Sequence, residues 1–339
     1  MKSLRTKVDR FGVSFIERFG GFLNPLLLEL KKENNQLLSF YFHGLFESSQ
    51  QKELHHIDPQ NNMTLKQFDD FIDYFQNHNY KFIAPEDLNS GLENGPYAMI
   101  TFDDGYFNNM LAVDILNKYK VPAAIFISTR NISENKSYWW DIIYKYRARQ
   151  GVSIEKIRDE QKYLKSFKHS VIDDYILKNF GKEAFIPWSD IDRPFNTEEI
   201  KNLASTSYIS IGNHTHNHAI LVNYNKEEIK EELRLSNKII TELTNSNPIS
   251  IAFPNGNYNQ LVLEAAEEEG FQYAFTTEPD RNLLPLGNNK LTRVNRYLSK
   301  TTKIKKYGGF YRLGYTPNTL YDEAIMTASS LKKKLKIFP

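Results

Sequence analysis

Cysteine is absent from all 339 residues, which excludes disulfides and thiolate metal ligands outright. No apolar run approaches the roughly 20 residues that a membrane-spanning helix needs, so no transmembrane segment is expected. An excess of one charge is also missing. Lysine and arginine number 43 against 41 acidic residues, a formal net charge of +2, which gives no electrostatic case for a nucleic-acid partner. The opening residues include Lys2, Arg5, Lys7 and Arg10, but Arg10, Glu17 and Arg18 break up any apolar core of the kind a secretory signal has. The expectation is a cytoplasmic protein. What the chain has in quantity is aromatic side chains, 20 Tyr and 23 Phe. In a sheet these chiefly fill the core, and secondarily they offer stacking platforms for ring-shaped ligands.

Short apolar runs alternate with helical patterns. The expected strands are 37–42, 80–84, 98–102, 123–127, 208–211, 249–253 and 271–275. Between them, Leu65, Phe68, Phe71, Ile72 and Phe75 have helical spacing, as do Leu111, Ile115 and Leu116, and a third helix is expected over 226–243. Strands alternating with helices argue for βα units, and about seven of them fit a barrel better than a minimal open sheet. The polar interval 131–197 interrupts the rhythm. It holds Trp139, Trp140 and Asp141 and two helix-like stretches, and reads as an insertion over one face. From about 301 the chain reads as a peripheral extension, ending in a helix with Ile325, Ala328, Leu331 and Leu335 on one side.

Two motifs stand at expected strand ends, where a barrel of βα units carries its chemistry. The first is AMITFDDGY (98–106), in which Asp103 and Asp104 follow a buried apolar run. Asp-Gly by itself is a common turn signal. The second is SIGNHTHNHAIL (210–221), which gathers His214, His216 and His218 out of eight histidines in the whole chain. Neutral imidazole is a common metal ligand near neutral pH. A catalytic zinc takes three protein ligands and leaves one position open. Two of these histidines with one of the aspartates would supply that set.

TFDDGY together with HTHNH resembles the two leading motifs of the polysaccharide deacetylases, the NodB-like carbohydrate esterases. The resemblance runs over about 36–300. It implies a distorted (β/α)₇ barrel, here with the mainly helical insertion and helical extensions at 1–35 and 301–339. It further implies that Asp104, His214 and His218 hold one divalent ion, usually Zn²⁺. Asp103 is then the general base that takes a proton from the attacking water. Thr215 would fasten the loop, and His216 would be loop structure or support.

The family's third motif, Arg-x-Pro plus an aromatic, is altered in IAFPNGNYN (251–259): Ala252 stands at the arginine position and Asn255 at the aromatic one. Arg293 and Arg296 are candidate substitutes, an ordinary surface role for each being the alternative. The backbone N–H of Asn255 remains a candidate for the oxyanion, because a main-chain donor does not depend on the side chain. The late Leu-x-His motif is missing, since no histidine follows 218. His43, closing the first expected strand, is the candidate general acid, as in the rearranged branch that includes the poly-N-acetylglucosamine deacetylases. Trp140 and Tyr106 are expected along the substrate cleft.

The resemblance implies a hydrolase acting on an N-acetylated sugar, in polysaccharide or glycolipid metabolism. Lipid-linked sugar is one form of that carbohydrate partner. The basic ends, Lys2 to Arg10 and Lys332 to Lys336, suggest peripheral contact with anionic lipid at about 1 kcal/mol per basic residue. Two alternatives stand beside this reading: a deformylase, O-acetyl esterase or non-sugar amide hydrolase of the same fold, and a non-catalytic carbohydrate-binding member.

Overall fold

Alternation within apolar strands sets the architecture. In β1 (Gln36–Phe42) every residue is buried. Leu38, Phe40 and Phe42 join one apolar cluster while Leu37 joins another. The same division runs through the next strands. Ala98, Ile100 and Phe102 face outward to helices, whereas Tyr97 and Met99 face inward. A strand buried on both faces belongs inside a layered or closed α/β fold. The computed structural model describes residues 33, 35–59, 63–287, 289–298 and 304–314. The basic N-terminal stretch from Lys2 to Arg10 and the expected helix carrying Ile325 to Leu335, with its lysines, lie outside them.

The strands continue as β2 (Lys81–Phe82), β3 (Pro96–Phe102), β4 (Ala123–Ile127), β5 (Ile209–Asn213), β6 (Ser250–Ala252), β7 (Tyr273–Phe275), β8 (Asn282–Leu283), β9 (Thr292–Val294) and β10 (Arg296–Leu298). A parallel path runs from β10 through β1, β3, β4, β5, β6 and β7 to β9. Since β9 and β10 are consecutive, with only Asn295 between them, they form two halves of one stave. The first half pairs with β7 and the second with β1, so the path returns on itself as a seven-stave barrel. Its thinnest seam is β5–β6, joined through the single pair Asn213↔Ile251. At the break, the Asn282 side chain takes the place of a neighbouring strand. It accepts from the Asn295 backbone N–H at 2.8 Å and donates to the Asn295 carbonyl at 2.9 Å.

The expected strand 80–84 shrinks to β2, a two-residue edge on β3 that stands off the ring. The stave that replaces it, β9 and β10, is built from two three-residue strands that carry no strand pattern of their own. Inside the barrel Gly212 is required: a Cβ there would meet Phe126 Cδ1 at 2.4 Å. Its bare backbone lets Phe126 fill the interior.

The helix Leu65–Gln76 opens with a reciprocal cap. Thr64 Oγ1 accepts from the Gln67 N–H, and Gln67 Oε1 accepts from the Thr64 N–H at 2.9 Å, an arrangement worth about 1 kcal/mol. Its Phe71 and Phe75 pack against Phe40 at 4.9 and 5.0 Å between ring centres. The helix Ile304–Leu313 packs beside it, with Tyr311 5.3 Å from Phe40. That segment is part of the main core rather than peripheral, because Phe40, on the outward face of β1, is covered by both helices.

The insertion folds as three longer helices, Trp139–Arg149, Ile154–Leu164 and His169–Phe180, one more than the pattern suggested. They enclose their own apolar cluster, including Ile142, Ile143, Ile157 and Ile176. A fully buried ion pair, Lys145 with Asp192 at 2.6 Å, joins the helix Trp139–Arg149 to the returning chain. Among the described residues no helix is long and apolar enough to cross a membrane.

Candidate active site

Parallel staves deliver their carboxyl ends to one rim, and the chemistry collects there. β1 ends into His43, β3 into Asp103 and Asp104, and β5 into His214. The turn Pro254–Gly256 follows β6. Together with the insertion they line a cleft of about 400 Å³. Four non-glycine residues around it have left-handed backbone: Asp104 (φ 76°), Thr215 (φ 64°), His218 (φ 49°) and Asn255 (φ 58°). Such strain persists where surrounding bonds over-determine the loop. The Thr215 N–H donates to Asn213 Oδ1 at 2.7 Å, and Thr215 Oγ1 accepts from the Ala219 N–H at 2.8 Å.

Asp104, His214 and His218 come together with ligand atoms all within 4.8 Å of one another. His214 Nε2 lies 3.3 Å and His218 Nε2 3.1 Å from Asp104 Oδ1. His214 Nδ1 stands 2.7 Å from the carbonyl of Ala252. Only a protonated Nδ1 can donate there, which leaves Nε2 with its lone pair toward the aspartate. Ala252, at the position where the family's arginine would stand, thus supplies a carbonyl that fixes this tautomer.

Both Asp104 oxygens are buried without a hydrogen-bond donor, as is His218 Nδ1. Burial works to raise the Asp104 pKa, but the two imidazoles and the field of His43 overcome it and hold the carboxyl far below its usual range. Burial lowers the His218 pKa, favouring neutral imidazole. A buried carboxylate without donors beside two inward-facing imidazoles suits a divalent cation. The N, N, O donor set matches a catalytic zinc site. Zn²⁺ at a hundredfold above its dissociation constant is therefore expected to stabilise the chelator-treated protein by about 2.7 kcal/mol. Thermal unfolding with and without Zn²⁺ reads this, and His218→Ala should remove the shift; equal curves for the parent protein would count against the site.

Asp103 is held differently. Arg296, fully buried, donates from Nη1 to Oδ1 at 2.7 Å and from Nη2 to Oδ2 at 2.9 Å. Its Nε donates to the Thr276 carbonyl at 3.0 Å and its Nη1 to Thr101 Oγ1 at 2.9 Å. The guanidinium lies 4.7 Å from the Tyr41 ring centre. Burial pushes the Tyr41 phenol up to about 12, against the opposing pull of Arg296, so it stays protonated at working pH. Arg296 is thus the arginine that grips Asp103 in this chain, in which position 252 is an alanine. It reaches Asp103 from β10, the stave next to β1.

Other expected residues fall in different places. Arg293 is on the outward face of β9, donating to Tyr258 Oη at 3.0 Å, and does not line the cleft. Side chains alternate along a strand, so Arg293 and Arg296, three apart, cannot share a face. Tyr106 is also off the cleft, buried behind it. Its hydroxyl donates to Asp141 Oδ2 at 2.6 Å and accepts from Trp140 Nε1 at 2.9 Å. Trp140 does line the cleft, with its ring 4.4 Å from that of His218. Asn255 lies on the opposite rim, where its Oδ1 accepts from Lys165 Nζ at 2.5 Å. His216 turns away to Thr129 Oγ1 at 2.9 Å. Arg158, Gln161, Lys162 and Lys165 also line the cleft. No sequence signal singled out these four, although their spacing puts them on one face of a helix.

The model of a family described as Polysaccharide deacetylase matches residues 91–274, more than half of the chain. The Bacillus subtilis (strain 168) protein YxkH, provisionally named a polysaccharide deacetylase, is 23% identical over 235 residues, covering 68% of this chain and 63% of that protein. The match thus spans less than two thirds of that relative's length. Among solved structures, the Streptococcus pyogenes deacetylase PplD in complex with acetate is similar at a TM-score of 0.53 and 17% identity, covering 78% of this chain and 92% of that one. IcaB from Ammonifex degensii is similar at 0.55 and 16%, covering 82% and 97%. At such identities the likeness is one of fold, and it agrees with the seven-stave ring.

Proposed function

Because this chain belongs to the polysaccharide deacetylase family, we propose that it is a metal-dependent hydrolase that removes the acetyl group from an N-acetylated sugar of a polysaccharide or glycolipid. One observation carries the reading. Two adjacent aspartates enter the same cleft in different states, Asp104 beside two imidazoles and Asp103 in the two-pronged grip of a buried arginine.

Asp104, His214 and His218 would hold the ion, most simply Zn²⁺. When bound, it supplies Lewis-acid polarisation of the acetamide carbonyl and of water. Asp103 takes the proton from the attacking water, with its carboxylate aimed by Arg296 rather than free to rotate. The backbone N–H of Asn255, on the opposite rim, is the proposed donor to the oxygen on which charge develops. His43 protonates the departing amine. β1 and β3 are paired to their last residues, Phe42↔Phe102, so His43 and Asp103 leave neighbouring strand ends and flank the same point. Trp140 offers an apolar wall for a sugar ring.

The test is acetate release from a panel of N-acetylated sugars by metal-stripped protein, before and after Zn²⁺ is restored. Release is expected only with metal. His43→Ala should lower kcat by about 10²- to 10⁴-fold, with partial recovery in added imidazole. Undiminished release by this variant would place the acid elsewhere. Release confined to N-formyl or O-acetyl sugars added to the panel would keep the hydrolase and change the acyl group or the bond.

A further inference from the structure

The insertion gives the cleft a charge that the acyl-transfer chemistry does not use. The helix Ile154–Leu164 and the residue just after it present Arg158, Lys162 and Lys165 to the cleft. Arg158 is neutralised by Asp58, 2.6 Å away. The carboxylates opposite have other partners within reach: Asp103 is paired with Arg296, and Asp104 lies 3.1–3.3 Å from the imidazoles that would share an ion with it. Lys162 and Lys165 differ: among the described residues neither has a carboxylate within ion-pairing distance. Lys165 donates across the cleft to the neutral Asn255 amide oxygen, and burial lowers its pKa. A half-buried ammonium compensated by one amide oxygen is short of a counter-charge. An anion entering the cleft would provide it.

We propose that Lys165 and Lys162 form an anion subsite beside the reaction centre, and that the acylated sugar bound here carries a phosphate group. Calling that sugar the substrate rests on the deacetylase reading; the anion subsite itself does not. Two ammonium groups carry six N–H donors, and with one spent on Asn255 five remain on one side of the cleft. That suits a multiply charged phosphate with several oxygens better than a single carboxylate. A sugar phosphate and a diphosphate link to a lipid carrier share this chemistry.

The experiment uses the full chain loaded with Zn²⁺. Turnover is compared for N-acetylglucosamine 1-phosphate, its methyl glycoside, and N-acetylglucosamine linked to a polyprenyl diphosphate in detergent micelles. Calorimetric titration with the corresponding free amines reads binding without turnover. Phosphate-bearing compounds are expected to bind roughly tenfold tighter or better, the ordinary worth of a charged hydrogen bond. The advantage should appear in KM more than in kcat and shrink with salt. Lys165→Gln should collapse the ratio between phosphorylated and methyl compounds, while Lys165→Arg keeps it. A preference shared by both phosphorylated compounds assigns the group to the sugar, and one confined to the lipid-linked compound assigns it to the carrier.

Equal affinity for all three, or a ratio indifferent to Lys165→Gln, would overturn the subsite. Acetate release from the methyl glycoside without phosphate preference would do so while leaving the deacetylase reading intact. Phosphate-dependent binding with no acetate release from any compound would do the reverse.

Discussion

Asp103→Asn is expected to lower the rate of acetate release by about 10²- to 10⁴-fold while Zn²⁺ stoichiometry stays at the parent value. The reasoning separates two acids that adjoin in sequence. Asp104 lies among the imidazoles, so its replacement would disturb metal uptake directly. Asp103 lies against Arg296 and is not part of that group. An asparagine there accepts from the guanidinium through its amide oxygen but cannot take a proton from water. Metal analysis beside steady-state rates distinguishes the roles. Loss of both metal and activity would mean that Asp103 supports the ion, and full activity would remove it as base.

Arg296→Met should destabilise the protein by about 3–5 kcal/mol, the usual result of removing one partner from a buried ion pair. Arg296 is fully buried and its partner nearly so. The substitution leaves a carboxylate inside the barrel mouth with its main donors gone. Methionine has a comparable apolar stem, so the loss reads the charge more than a cavity. Urea unfolding measures the difference. The double variant Asp103→Asn with Arg296→Met is expected to recover part of it, because no unpaired charge remains. If the two losses simply add, the pair is not coupled and Arg296 does not hold the base.

Which residues meet in the cleft was legible where it depends on short spans of chain. TFDDG places two carboxylates on consecutive residues after a buried strand, and HTHNH places two imidazoles four apart on one loop. Strand ends in a parallel barrel bring such loops to one rim whatever their separation in sequence. The strand 123–127 appears with those bounds in β4, since a run of five apolar residues leaves little choice of register. The long helix expected over 226–243 appears as Lys226–Thr244.

Ring closure and the identity of the arginine were not legible, and for one reason. β9 and β10 are three residues each, too short for a reliable alternation pattern. They are strands because β7 and β1 stand on either side and Asn282 bridges their break. Without that stave, Arg293 and Arg296 are two equal candidates in LTRVNRY. With it, alternation turns Arg296 inward with Val294 and leaves Arg293 outside. Arg296 and Asp103 are 193 residues apart, so no local window joins them. Tyr106 was misplaced for a similar reason. It follows the motif closely, yet its hydroxyl is taken by Asp141 and Trp140 of the insertion, and that packing carries it behind the wall.

By itself, then, the sequence determined the elements whose physics is local: the apolar strands, the amphipathic helices and the two loops that carry the aspartates and the histidines. Only the tertiary structure decided which arginine faces Asp103, how the seventh stave closes the ring, and that a helix of the insertion lays Lys162 and Lys165 along the cleft. Those outcomes depend on distant segments meeting in space, where burial, alternation and the pairing of charge select one partner among several that the chain alone leaves equivalent.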